Sequence, residues 1–392
     1  MDLAITNLGG IVSGDIEQPI LVGDAVVVRD GRIAAVGAAA DLDFSGIEHR
    51  IDANGCIIAP GLIDSHVHVV VGDFTPRQNA LGFIDSCLHG GVTSMVSAGE
   101  VHLPGRPKTA SGLKALAIVA AQSFANYRPS GVKVLGGGLI LDPAFTEADF
   151  DEMAAAGVRH LGEIGLGPVT DWEVAAEMAG WAHARGMRVM MHVGGASIPG
   201  SNVIGADAVL TVRPDVASHL NGGPTAAPIE EIERIIGGSS AALELVQCGN
   251  MLALERIAER IHAGGQGARM IIGTDMPSGT GVIPLGMLRT ISAVASTSGF
   301  SAAEALAMAT GNTARVYGFP RGRIAPGLEA DLILIDTPLG SPAKDALEAL
   351  EIGDIPGLAA VIIDGVVKVN VSRNTPPPRR KAVIPWLVAG GH

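Results

Sequence analysis

The chain opens with short runs of alternating apolar and polar residues broken by turn signals, LAITNLGGIVSG and then DAVVVRDGRIAAVG. Alternation with period two puts one face of a strand in a core and the other in solvent. The Asp30-Gly31 pair between two such runs predicts a tight hairpin, because both central residues of that turn need positive φ. From Cys56 to about Gly318 the pattern changes to strand-length apolar runs separated by helix-length amphipathic segments. Eight such runs are read as strands: CIIAPGLIDSHVHV, TSMVSAG, VKVLGGGLI, RHLGEIGLG, RVMMHVGG, DVASHLNGG, AALELVQCG and ARMIIGTD. Between them lie helical segments such as TEADFDEMAAAG, DWEVAAEMAGWAHARG and ALERIAERIHAGG, with start signals at Thr146 (with Asp149) and at Asp171.

A repeated strand-helix order predicts an α/β fold with a parallel sheet, and eight such units close into a TIM-like (β/α)8 barrel. After the helix SAAEALAMATGNTARVYG, β character returns in GRIAPGLEADLILID and AAVIIDGVVKVN. The expected organisation is therefore a barrel over residues 56–318 and a small β-sandwich assembled from both termini, 1–55 and 319–370. Residues 371–392, Pro- and Arg-rich, are expected to form an extended tail.

The polar residues inside the apolar strands fall at their C-terminal ends, the face on which barrels build active sites. His66 and His68 are two apart, so an extended strand presents both to one ion. Glu163 lies inside the run LGEIGLG, where a carboxylate is costly to bury without a cation or hydrogen-bonded partner. It reads as a metal bridge, with a buried ion pair as the alternative. Lys133 is the rival bridge if carbamylated, or else a charge partner for Glu163. His192 and His219 end the fifth and sixth strands, each just before a Gly pair, and read as ligands of a second metal. Asp275 ends the eighth strand, where it can accept a proton from a metal-held water; its alternative role is capping the next segment through Ser278. Imidazole and carboxylate donors suit zinc, iron and related ions.

Three further basic residues, Arg77, Arg106 and Lys108, follow strands one and two. They read either as a clamp for a substrate carboxylate or as solvated surface charges. Cys248 ends the seventh strand, either lining the pocket or filling space as a small apolar residue. His89, His102, His160, His183 and His262 fall off the pattern and are not expected to be ligands.

Composition narrows the partners. A formal net charge of -13 and no basic stripe disfavour nucleic acid. Despite 47% hydrophobic residues, no run approaches the roughly 20 apolar residues that cross a bilayer. Met1–Gly10 carries Asp2 and lacks a basic segment followed by an apolar one, so it does not read as a signal peptide. Three widely spaced cysteines suit free thiols in a reducing cytoplasm.

The set PGLIDSHVH, a carboxylate on strand four, histidines ending strands five and six and TD ending strand eight resembles the amidohydrolase superfamily, as does GRIAPGLEADLILID. The resemblance spans nearly the whole chain. A narrower likeness, in GDFTPRQN, PGRPK, SIPGS, NGGPT, VQCGN, DMPSGTGVIPLG and SRNTPPP, is to the branch that opens 6-oxo-1,4,5,6-tetrahydronicotinate to 2-formylglutarate and ammonia. It implies a homotetramer with a binuclear zinc and iron centre, metal-site residues at His66, His68, Glu163, His192, His219 and Asp275, and Asp275 also as catalytic acid-base. Lysine-bridged, dihydroorotase- or hydantoinase-like relatives fit less well, because strand four offers Glu163 and no lysine. Other readings are a deaminase and a barrel that has lost its chemistry and acts as a scaffold subunit.

Overall fold

The computed structural model describes residues 1–71, 80–196, 202–223, 225–277 and 281–388. Eight strands run parallel in chain order: β1 (Leu62–Val67), β2 (Val92–Ser97), β3 (Lys133–Leu135), β4 (His160–Ile164), β5 (Arg188–Met191), β6 (Val216–Ala217), β7 (Ala242–Val246) and β8 (Met270–Gly273). Strands β1 to β3 form one parallel ladder and β4 to β8 another. Single parallel bridges, Leu139 to Leu161 and Val67 to Met276, join the two ladders and complete the ring. The expected eight strands and the barrel are therefore observed.

The helices between strands start where the sequence signals them. Thr146 and Asp149 form a reciprocal capping box on Glu147–Ala155, and the Asp171 side chain accepts from the backbone N–H of Glu173 and Val174 at the start of Trp172–Ala184. Their buried faces, Phe150 and Met153 on one and Ala175, Met178 and Ala182 on the other, belong to one apolar cluster with the outer faces of the strands. By area removed from water, a buried Phe or Met side chain contributes roughly 1.5–3 kcal/mol.

Both ends of the chain build the small β-sandwich. One sheet orders Arg32–Gly37, Ala25–Arg29, Leu3–Thr6 and His49–Asp52; the other orders Val366–Asn370, Gly357–Ile363, Leu332–Asp336, Ile57–Pro60, Gly10–Val12 and Ile20–Leu21. Leu3, Ile5, Val26, Val28, Ile58, Leu332, Leu334 and Ile362 meet in its core. The hairpin at Asp30 (φ 48°) and Gly31 (φ 74°) has the positive φ values its sequence demands.

Two expectations change. Residues 56–69 were expected to be one barrel strand, but Ile57–Pro60 pairs with Leu332–Asp336 in the sandwich and only Leu62–Val67 enters the barrel. Gly61 makes the change of direction: a Cβ there would collide with the Thr93 side chain, so only glycine allows this approach. The described part of the expected tail, residues 371–388, is packed and ends in the short helix Pro385–Val388. Arg380 pairs with buried Asp336, Val383 bridges to Asp52, and Ile384 is buried in the sandwich core.

Lys133 does not face Glu163. It begins β3 at the opposite, N-terminal end of the barrel, where its Nζ donates to Glu329 (2.8 Å), Asp331 (2.8 Å) and Asp364 (2.6 Å). Neither the carbamylated bridge nor the charge partner to Glu163 is therefore available to it; it joins the barrel to the sandwich. Removing one partner from a buried ion cluster leaves uncompensated charge, at a cost of about 3–5 kcal/mol. Lys133→Met should lower unfolding stability by about that amount in urea titration, with retained metal content; an unchanged urea midpoint would contradict this role.

Candidate metal centre

All six chemistry-bearing side chains singled out in the strands converge at the C-terminal end of the barrel. His66 and His68 come from the end of β1, their ring centroids 5.2 Å apart. Glu163 comes from β4 at a break in register with β5, between Leu161 and Glu163. Such irregularities re-aim a side chain, here into the site. His192 follows β5, His219 follows β6 and Asp275 follows β8. His219 (φ 34°) and Asp275 (φ 55°) both have positive φ, a conformation that non-glycine residues keep only where the surroundings enforce it.

Glu163 is at the centre. Its Oε1 is 2.9 Å from His192 Nδ1 and also meets His219 Nε2; its Oε2 is 3.7 Å from His66 Nε2 and 3.9 Å from His68 Nε2. Asp275 Oδ1 is 3.0 Å from His68 Nε2 and 3.5 Å from His66 Nε2. The His192 ring also reaches the backbone oxygen of Gly195 through Nε2 at 3.1 Å. Asp275 thus engages His68; Ser278, its alternative capping partner, lies outside the described residues.

Burial and charge oppose one another here. Burial favours the neutral carboxyl form of Glu163, yet the surrounding His219 and His66 imidazoles hold it well below the usual carboxylate range. Burial likewise disfavours protonated His66, but Glu244, Glu163 and Asp275 push it up to about 10. Burial also disfavours ionised Asp275, and the His68 hydrogen bond with the nearby imidazoles outweighs it, lowering its pKa. The protein has thus gathered carboxylates and imidazoles that call for positive charge between them.

Those donors fit divalent ions. Ligand atoms of His66, His68 and Asp275 lie within 4.8 Å of one another, as do those of His66, Glu163 and His219. His66 Nε2 and His219 Nδ1 are buried without a hydrogen-bond partner, a state that coordination or water would relieve. His192 is outside both sets and touches the site through Glu163.

Two acids that the sequence reading passed over hold these donors in place. Glu244 on β7 is fully buried and accepts from Ser65 Oγ (2.6 Å), from the His219 backbone N–H (3.2 Å) and from His66 Nδ1 (2.9 Å). With Nδ1–H given to Glu244, the Nε2 lone pair of His66 is left for a metal. Asp64 accepts from Thr274 N (2.9 Å) and Thr274 Oγ1 (2.6 Å), fastening β1 to β8 between His66 and Asp275. The signal for Glu244 was a carboxylate inside the apolar run AALELVQCG, the same signal that singled out Glu163.

The weaker candidates separate. Arg106 and Lys108 lie on the loop after β2 and line one pocket. Arg77 lies outside the described residues. Cys248 is 4% exposed and packs in the barrel's apolar core. Among the off-pattern histidines, His102 sets its ring against His68, with centroids 4.8 Å apart, while His160, His183, His89 and His262 contact Ser97, Asp215, Arg373 and Phe300. None of them joins either donor set.

The amidohydrolase family pattern matches residues 57–368. The chain belongs to this family. It is 53% identical to the enamidase of Eubacterium barkeri over 380 residues, 97% of this chain and 98% of that one. The crystal structure of enamidase superposes with a TM-score of 0.95 at 52% identity, covering 98% of this chain and 100% of the other. The adenine deaminase of Paracoccus denitrificans (strain Pd 1222) is 27% identical over 81% of this chain but only 52% of its own length. Amidohydrolases use divalent metal ions, in keeping with the donor sets.

Carboxylates that orient a ligating histidine typically matter 10- to 100-fold in metal affinity. Glu244→Gln should weaken metal binding by about that factor, measured by chelator competition. Unchanged affinity would remove Glu244 from this role.

Proposed function

We propose that this amidohydrolase hydrolyses the cyclic enamide 6-oxo-1,4,5,6-tetrahydronicotinate, giving 2-formylglutarate and ammonia. One observation carries the reading. Buried Glu163 stands where lysine-bridged amidohydrolases carry their lysine, ringed by the same histidine and aspartate set, in a chain 53% identical to enamidase along nearly its full length.

In this reading residues 56–318 contain the catalytic unit, apart from Ile57–Pro60, which joins 1–55 and 319–370 in the accompanying sandwich. His66, His68, Glu163, His192 and His219, with Asp275 beside them, would hold two divalent ions, zinc and iron. Such ions acidify water and polarise a carbonyl oxygen. Glu163 supplies two oxygens, facing opposite groups of imidazoles. Asp275, kept ionised by His68, takes a proton from the attacking water and returns it to the ring nitrogen as the C–N bond breaks. The strained backbone at Asp275 holds its carboxylate in one place for both transfers. Ring opening releases an enamine; it tautomerises to an imine, which water converts to aldehyde and ammonia without a further group of the protein.

The reading includes a homotetramer in the cytoplasm. Cys56, Cys87 and Cys248 are buried, and among the described residues no helix is long and apolar enough to cross a membrane. The adenine deaminase likeness supports a second reading, release of ammonia from an aminated heterocycle with the ring intact.

Turnover of 6-oxo-1,4,5,6-tetrahydronicotinate should consume the enamide absorbance and release ammonia in equal amounts; ammonia from adenine without ring opening would favour the deaminase instead. Chelation should abolish activity, and added zinc with ferrous iron should restore it. Asp275→Asn should reduce kcat by about 100-fold or more with metal content intact; retained turnover would exclude it as the proton carrier.

A further inference from the structure

The proposed substrate carries a carboxylate on its ring, and an acidic protein must meet it with local positive charge. In the segments after the eight strands (68–79, 98–109, 136–146, 165–171, 192–205, 218–228, 247–250 and 274–285) the only Lys or Arg residues are Arg77, Arg106 and Lys108. Arg77 lies outside the described residues, and Arg106 and Lys108 share one loop.

That loop is anchored at both ends. The Glu100 side chain accepts from Val71 N–H at 3.0 Å, Leu103 N–H donates to Glu100 O at 3.2 Å, and Arg106 N–H donates to Leu103 O at 3.1 Å. Thr109 then caps the helix Ala110–Asn126 by accepting from Gly112 N–H at 3.3 Å. Between these anchors the loop touches the centre itself, through the His102 ring on His68. Arg106 and Lys108 line a pocket of about 270 Å3 with Ile140, Leu166 and Gly167. On the far wall, Leu166 N–H donates to the backbone oxygen of Glu163.

Arg106 is the residue in this pocket that lacks something. Its side chain is partly buried, and its Nη1 is enclosed without a hydrogen-bond partner among the described residues. An arginine does not shed its proton, so burying such a group unpaired is costly unless an acceptor completes it. Among the described residues no carboxylate does. Asp142 is the acid lining this pocket, and its Oδ1 already accepts from Ala144 N–H at 2.9 Å.

We infer that the loop after β2 is the carboxylate subsite of the enzyme, with Arg106 receiving the substrate's ring carboxylate and Lys108 adding a second positive charge. This deepens the proposed function and rests on it. A planar guanidinium meets a carboxylate with two parallel N–H donors, which fixes the ring's orientation as well as binding it. The subsite therefore selects anionic lactams over their neutral counterparts.

The test compares 6-oxo-1,4,5,6-tetrahydronicotinate with its 3-carboxamide, in the metal-loaded wild type, Arg106→Gln, Arg106→Lys and Lys108→Gln. Losing a charge-assisted pair should cut the acid-over-amide ratio of kcat/KM about 100-fold in Arg106→Gln, mostly through KM. Arg106→Lys should recover part of that ratio, and Lys108→Gln should lose less of it. Because each variant is judged by the ratio of two substrates, a general loss of folded enzyme does not imitate the result. A ratio within about twofold of wild type in Arg106→Gln would overturn the subsite while leaving the lactam reading standing. A wild type that opens neither ring would overturn both.

Discussion

Glu163, buried in the barrel and surrounded by four imidazoles, sets the terms for the rest of the molecule. A carboxylate stripped of water is unfavourable unless positive charge reaches it. Here the neighbours that come closest are His192 at 2.9 Å and His219, with His66 and His68 beyond them. None of these side chains would be stable alone in an apolar barrel. Together with Asp275 they make a polar cluster whose donor atoms suit divalent ions.

Such a cluster works only if its members cannot turn away, and further buried polar groups hold them. Glu244 holds His66, Ser65 and the His219 backbone at once, tying β7 to β1 and to the end of β6. Asp64 locks β1 to β8 through Thr274, beside the two positions where His66 and Asp275 leave the strands. The positive φ values at His219 and Asp275 are consistent with this, since surrounding contacts must hold a conformation the backbone does not prefer.

The opposite end of the barrel carries no such donor set among the described residues. There Lys133 answers the acids of the sandwich, Glu329, Asp331 and Asp364. Two buried charge systems thus divide the barrel along its axis, one joining domains and one gathering the donors suited to a metal. The packed tail, clasped through Arg380 and Asp336, completes the sandwich on the side away from the chemistry.

The sequence by itself determined the barrel, the two-ended sandwich and the six converging side chains, because each depends on local pattern. Strand-helix periodicity sets the fold class, and polar residues at the ends of apolar strands mark the face where loops build a site. What it could not decide was direction and partnership. Lys133 and Glu163 sit in similar apolar runs on neighbouring strands, yet one begins its strand and the other lies near the end of its own, so they face opposite ends of the barrel. Glu244 looked like any strand residue until folding brought it within 2.9 Å of a histidine 178 positions away. The turn at Gly61, which sends the chain from sandwich to barrel, depends on Thr93 from another strand. These are long-range contacts, and only the closed barrel creates them.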